Sequence, residues 1–151
     1  MEMTEKQLQT VIEQAKNVAE AAHRGATRND GKTPYFTHVE AVADAVEPRL
    51  KPIALLHDVV EDSDITIEDL KNAGFPPYVL EAVELLTHRN NEPNVSYWAK
   101  IAKNKDATAV KIADMKNNLS DSPGDRQREK YMKGLALFAK FGYDIAAEDQ
   151  N

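Results

Sequence analysis

The chain has 151 residues, a net charge of −6 and no cysteine. That length suits one domain around a single core, and the missing thiols exclude disulfides, zinc–thiolate sites and cysteine nucleophiles. No Lys/Arg run is present, which argues against a nucleic-acid partner, although an acidic protein can still hold a polyphosphate through a few well-placed cations.

Residues 1 to 24 lack a basic start followed by an apolar block, and no apolar run approaches the ~20 residues of a membrane span. The expectation is a cytoplasmic protein without a membrane partner. Thr4-Glu5-Lys6-Gln7 is a capping-box pattern, and Leu8, Val11, Ile12, Ala15, Val18, Ala19 and Ala22 recur at helical spacing, predicting a helix to about Arg24. The turn-forming stretch from Gly25 to Pro34 carries two cations, Arg28 and Lys32. Thr37 and Glu40 make a second capping box, with Val39, Val42, Ala43 and Val46 marking a helix that holds His38 in its first turn.

Pro48 and Pro52 bracket a break before the central stretch, Ala54 to Asp62. There Ile53, Leu55, Leu56, Val59 and Val60 occupy nearly every side of a predicted buried helix. Helical spacing stacks His57 over Glu61 and Asp58 over Asp62. Burying so many ionisable groups costs several kcal/mol apiece unless something compensates them, and a metal ion does so most simply.

Downstream, Thr66 caps a short helix ending near Gly74, and Pro76-Pro77 opens another with Leu80, Val83 and Leu86 inward. His88 falls at its end, where the dipole suits an imidazole, and is not counted as a ligand. Ser96 is expected to cap a helix carrying Tyr97, Trp98 and Ile101. A helix from Asp106 then places Val110, Asp114 and Asn118 on one face. Asp is a poor residue inside a helix and needs a reason to be there. A last helix, with Met132, Leu135, Phe138 and Ala139 inward, ends at Gly142. No convincing strand is found, so the predicted fold class is all-α.

His38, His57, Asp58 and Asp114 thus form a mixed nitrogen and oxygen donor set drawn from three segments. Without sulfur it suits a divalent first-row metal such as Mn, Fe, Co or Zn, with positions left open for water. The order His, then His-Asp, then Asp resembles the HD-domain phosphohydrolases. A sharper resemblance joins His57-Asp-Val-Val-Glu-Asp62 to Arg28 and Tyr35-Phe-Thr-His38 upstream, and to Val110-Lys-Ile-Ala-Asp-Met-Lys-Asn-Asn118 downstream. Together these resemble the hydrolase domain of the RelA/SpoT stringent-response enzymes and the small alarmone hydrolases, over about residues 10 to 140.

The resemblance implies that residues 1–151 are a single HD-type hydrolase domain. It further implies that His38, His57, Asp58 and Asp114 hold one metal ion, typically Mn²⁺ in that family. Glu61 and Asp62 would flank the attacking water; which of the two handles the proton is left open by the sequence, with Glu61 the first choice. The implied partner is a guanosine nucleotide, ppGpp or pppGpp, losing pyrophosphate from its ribose 3′ position. Arg28 and Asn118 match nucleotide-contacting positions, and Lys32 is expected to add charge toward the substrate.

The chain also departs from the family. Val39 stands where Pro is usual, and the D-R-x-H-N segment reads Asp114-Met-Lys-Asn-Asn118. Leu119-Ser120 stands where another Arg is common. These departures touch substrate identity more than metal binding. They keep open an HD-type phosphohydrolase acting on another nucleotide or phosphate ester, and a non-catalytic nucleotide-sensing module.

Overall fold

The computed structural model describes residues 3–146. Among them the chain forms helices α1 (Glu5–Ala22), α2 (Tyr35–Asp44), α3 (Lys51–Leu56), α4 (Val59–Asp62), α5 (Ile67–Asn72), α6 (Pro77–Leu86), α7 (Asn94–Ile101), α8 (Lys105–Ser120) and α9 (Asp125–Lys140). A single turn of 3₁₀ helix, Pro48–Leu50, leads into α3. The described residues contain no strand, only an isolated antiparallel bridge between Thr27 and Pro34 that pinches the loop before α2. None of their helices is long and apolar enough to cross a membrane.

Local chemistry accounts for most of these boundaries. Thr4 and Gln7 satisfy each other's backbone donors at the start of α1, and Thr66 and Asp69 do the same for α5. Pro77 opens α6 with a ring whose missing N–H is not needed there. Gly74 and Gly142 adopt φ of 94° and 97° just past the ends of α5 and α9, a backbone region costly for other residues.

Four sequence expectations are corrected. Helix α2 begins at Tyr35, not after Thr37, because Pro34 fixes an extended entry and its carbonyl accepts the Thr37 N–H at 3.0 Å. Helix α7 likewise begins at Asn94 behind Pro93, two residues before the expected Ser96 cap. The central helix is not continuous: α3 stops at Leu56 and α4 starts at Val59. The His57 ring explains this, since its Nδ1 lies 2.6 Å from the Ala54 carbonyl, the acceptor that the Asp58 N–H would use in an unbroken helix. Finally, Met132 is 55 % exposed rather than inward, and Gly134 takes the buried place beside Leu135 and Phe138.

Helix α3 is the hub. It packs against α1, α2 and α6, while α2 also meets α8, and α8 meets α9. Ile53, Ala54, Leu55 and Leu56 are all buried, so the apolar wall behind His57 is closed to water. Leu56→Ala should therefore cost about 2–5 kcal/mol, whereas Met132→Ala should stay within about 0.5 kcal/mol of the parent. Urea titrations check this as a fall in midpoint for the first variant alone, with an unchanged slope.

Candidate metal centre and active site

Each site residue is delivered by a different piece of local structure. Tyr35 and His38 share one face of the first turn of α2, with rings 5.4 Å apart. His57 ends α3 and Asp58 precedes α4, so the chain break aims both side chains toward α8. Asp114 projects from α8 with Lys111 one turn before it and Asn118 one turn after. The His38 and His57 rings meet edge to face at 5.8 Å.

The donor atoms of His38, His57 and Asp114 all lie within 4.8 Å of one another, and all three residues are buried. His38 Nε2 is 2.8 Å from Asp114 Oδ1, and His57 Nε2 is 3.4 Å from the same oxygen. Asp58 joins at the edge, its Oδ2 3.0 Å from His57 Nε2.

Hydrogen-bond roles show what this cluster lacks. A carbonyl only accepts, so the Ala54 oxygen requires the proton of neutral His57 on Nδ1, leaving a lone pair on Nε2. That buried nitrogen finds no hydrogen-bond partner and faces two carboxylates. His38 repeats the pattern, with Nδ1 2.6 Å from Asn117 Oδ1 and Nε2 toward Asp114. Lone pairs facing carboxylates in a closed site need a cation between them. The residues present therefore fit a divalent metal ion, with Ala54 and Asn117 fixing the two ring tautomers from behind.

In the metal-free protein a proton takes the cation's place on His57 Nε2. Burial lowers the His57 pKa, but Asp58 and Asp114 outweigh it and hold the ring well above its ordinary value. Burial works against ionised Asp114 too, yet Lys111 and His57 keep its carboxyl well below the usual range. Lys111 Nζ sits 3.1 Å from Asp114 Oδ2. Burial, then Asp58, push the Tyr35 phenol far up, so it stays protonated and donates to Asp58 Oδ2 at 2.5 Å.

The acidic pair lies at the rim. Glu61 Oε1 accepts the His88 N–H at 2.6 Å, and the His88 ring stacks on Tyr97 with centroids 4.2 Å apart. Asp62 is not so tied. Part burial, then the negative charges of Asp58 and Glu61, push its carboxyl up to about 6.

Two polar chambers open beside the cluster. The first is lined by Asp58, Glu61, His88, Tyr97, Lys111, Asp114, Met115 and Lys130 among others. The second is lined by Arg28, Asn29, Asp121, Pro123 and Gln127. Tyr35, Asn118 and Tyr131 line both. Each holds about 170 Å³, less than the roughly 300 Å³ at which small-molecule pockets begin.

Of the expected substrate contacts, Arg28 and Asn118 meet at this junction, with Arg28 Nη1 donating to Asn118 Oδ1 at 3.3 Å. Lys32 is exposed in the loop before α2, where its N–H serves Asp30, and it lines neither chamber. Sequence reasoning missed Tyr35, Asn117, Lys130 and Tyr131 as parts of the site. Tyr35 alone had a signal, its one-turn spacing to His38.

All-α architecture and a cluster of two imidazoles with two carboxylates define an HD-type domain. Comparison with known proteins shows what the chain is similar to. No family model matches the chain. A guanosine-3′,5′-bis(diphosphate) 3′-pyrophosphohydrolase of Vibrio cholerae is 45 % identical over 87 residues, 54 % of this chain and 12 % of that protein. A protein of the same description from Haemophilus influenzae is 30 % identical over 150 residues, 87 % of this chain and 22 % of that protein. The chain thus spans less than a quarter of the length of these relatives. A solved structure described as a metazoan orthologue of SpoT that hydrolyses ppGpp superposes with a TM-score of 0.70 at 24 % identity, covering 100 % of this chain and 91 % of that one. The chain is thus similar, in sequence and in fold, to the RelA/SpoT-type HD hydrolases.

The elevated Asp62 carboxyl has a consequence for the metal-free protein. An unfolded Asp ionises near 3.9, so between about 4 and 6 the unfolded chain loses its proton first and stability falls as pH rises. Above pH 6 the whole penalty is present. Asp62→Asn should raise the melting temperature over the parent at pH 8 and leave it unchanged at pH 4, as thermal scans in a chelating buffer would read.

Proposed function

We propose that this domain is a metal-dependent hydrolase that removes pyrophosphate from the ribose 3′ position of guanosine alarmones, with Mn²⁺ as the resident ion. The observation that carries the reading is the buried set of lone pairs on His38 and His57 facing Asp114 and Asp58, opening onto two chambers. When bound, a divalent ion lowers the pKa of water and stabilises charge gathering on phosphoryl oxygens.

The protein's own groups supply the rest. Water's oxygen joins the 3′-phosphorus while the bond from that phosphorus to the ribose oxygen breaks, and the ribose oxygen takes up a proton. Glu61 lines the first chamber, where it accepts the His88 N–H, and is placed to take the water's proton. Asp62, the neighbouring carboxylate, lines neither chamber and acts on the site through its charge. Tyr35 keeps Asp58 turned toward the cluster.

Arg28 supports a base-reading role. Its Nε and Nη2 both reach Asp121 Oδ2, at 3.1 and 2.9 Å, and Nη1 is spent on Asn118. With its nitrogens so committed, the guanidinium would meet a flat ring through its face, a planar stacking contact suited to Arg. The relatives named for action on guanosine-3′,5′-bis(diphosphate) favour guanine as that ring.

Protein stripped of metal and reloaded with Mn²⁺ should release pyrophosphate from ppGpp and nothing from GDP or GTP. Phosphate released from ordinary nucleotides instead would indicate another substrate class, and no turnover with any metal would indicate a sensing module. Asp58→Ala should lose metal and activity together. Glu61→Gln should keep the metal and cut turnover about 100-fold. Parental turnover in Glu61→Gln, with loss of turnover in Asp62→Asn, would pass the proton to Asp62.

A further inference from the structure

One cation of the first chamber has no part in the reaction so far. Lys130, on α9, lines the chamber from a helix that supplies none of the ligand set. Lys111, the other ammonium there, is already committed to Asp114. Among the described residues Lys130 makes no ion pair with a carboxylate, and its Nζ stands over the Tyr131 ring, 5.1 Å from the centroid.

The neighbouring wall explains why a cation is needed from α9. Met115 follows Asp114 where the resembled family carries Arg, and it lines the same chamber. It is buried, and its tip lies against Gly134 of α9, where an added Cβ would stand 2.4 Å from Met115 Cε. Helix α8 therefore presents a thioether where a guanidinium would be expected, and the two helices close on it. Met115 and Lys130 both line the chamber in which an anion beside Asp58 and Asp114 would sit.

We infer that the first chamber holds the pyrophosphate produced by the reaction, and that Lys130 is its counter-charge, supplied by α9 in place of the cation missing at Met115. This rests on the proposed hydrolysis. Pyrophosphate is a polyanion that a divalent ion neutralises only in part, and Lys111 has no charge to spare. Burial, and then Lys111, lower the Lys130 pKa. Its ammonium has thus lost water beside another cation, a situation that a bound anion relieves. Lys130 would therefore set product affinity and favour a diphosphate over a lone phosphate.

Calorimetric binding of inorganic pyrophosphate to the Mn²⁺-loaded full chain, at fixed free Mn²⁺, tests this without turnover, with orthophosphate and GDP as comparators. Lys130→Met should weaken pyrophosphate at least about tenfold, the scale of one hydrogen bond to a charged group. GDP should be unaffected, and Lys130→Arg should recover most of the loss. Lys130→Gln serves the same purpose if the Met variant does not fold. Parental pyrophosphate affinity in a folded, metal-loaded Lys130→Met protein would overturn the assignment, as would an equal loss for GDP. An absence of ppGpp hydrolysis in the parent would instead strike the proposed reaction.

Discussion

A buried imidazole nitrogen with no proton to give, facing two carboxylates, is the constraint that orders this domain. The Ala54 carbonyl sets it by claiming the Nδ1 proton of His57. The same contact interrupts the central helix, so one interaction both shapes the backbone and prepares the site. Had the helix continued, His57 and Asp58 would have pointed about 100° apart around its axis, as successive helical residues do. Here His57 Nε2 instead meets both Asp58 and Asp114.

Apolar packing makes the constraint costly to escape. Ile53, Leu56 and Val59 are fully buried around the pair, so water cannot repair the missing hydrogen bonds. A cation therefore contributes to the fold as well as to chemistry: a metal ion, or in its absence the proton that Asp58 and Asp114 hold on His57. Asn117 and Asn118 extend the arrangement outward, one to His38 and one to Asp114. Asn117, where the resembled family has His, still offers an oxygen to the ring nitrogen that must keep its proton.

Much of this was legible in the sequence because it is local. Capping boxes at Thr4 and Thr66 and the proline at Pro77 mark helix starts through contacts only a few residues long. The four candidate ligands were legible because an acid inside an apolar helix is too costly to bury without a counter-charge. What escaped depends on distance along the chain or on a side chain competing with the backbone. The bonds from Arg28 to Asp121 and Asn118 span 93 and 90 residues, and no periodicity reports them. Lys130 reads as one more solvated charge on α9 until α8 is packed against it. The loop position of Lys32 carried charge without geometry, and the fold gave it none.

The remaining physical question is how a protein of net charge −6 receives a polyanion. At physiological ionic strength surface charges are screened beyond about 8 Å, so the acidic exterior offers little long-range opposition and the local inventory decides. Within the chambers the ligand carboxylates of Asp58 and Asp114 match the two charges of a divalent ion. Lys111 is spent on Asp114, and Arg28 is turned edge-on into Asp121. On the proposed reading, the balance left for the substrate is narrow and directional: Arg28 on the nucleoside side, and the Lys130 ammonium on the phosphate side. A site so sparing in free charge would discriminate by where its few cations stand rather than by how many it has.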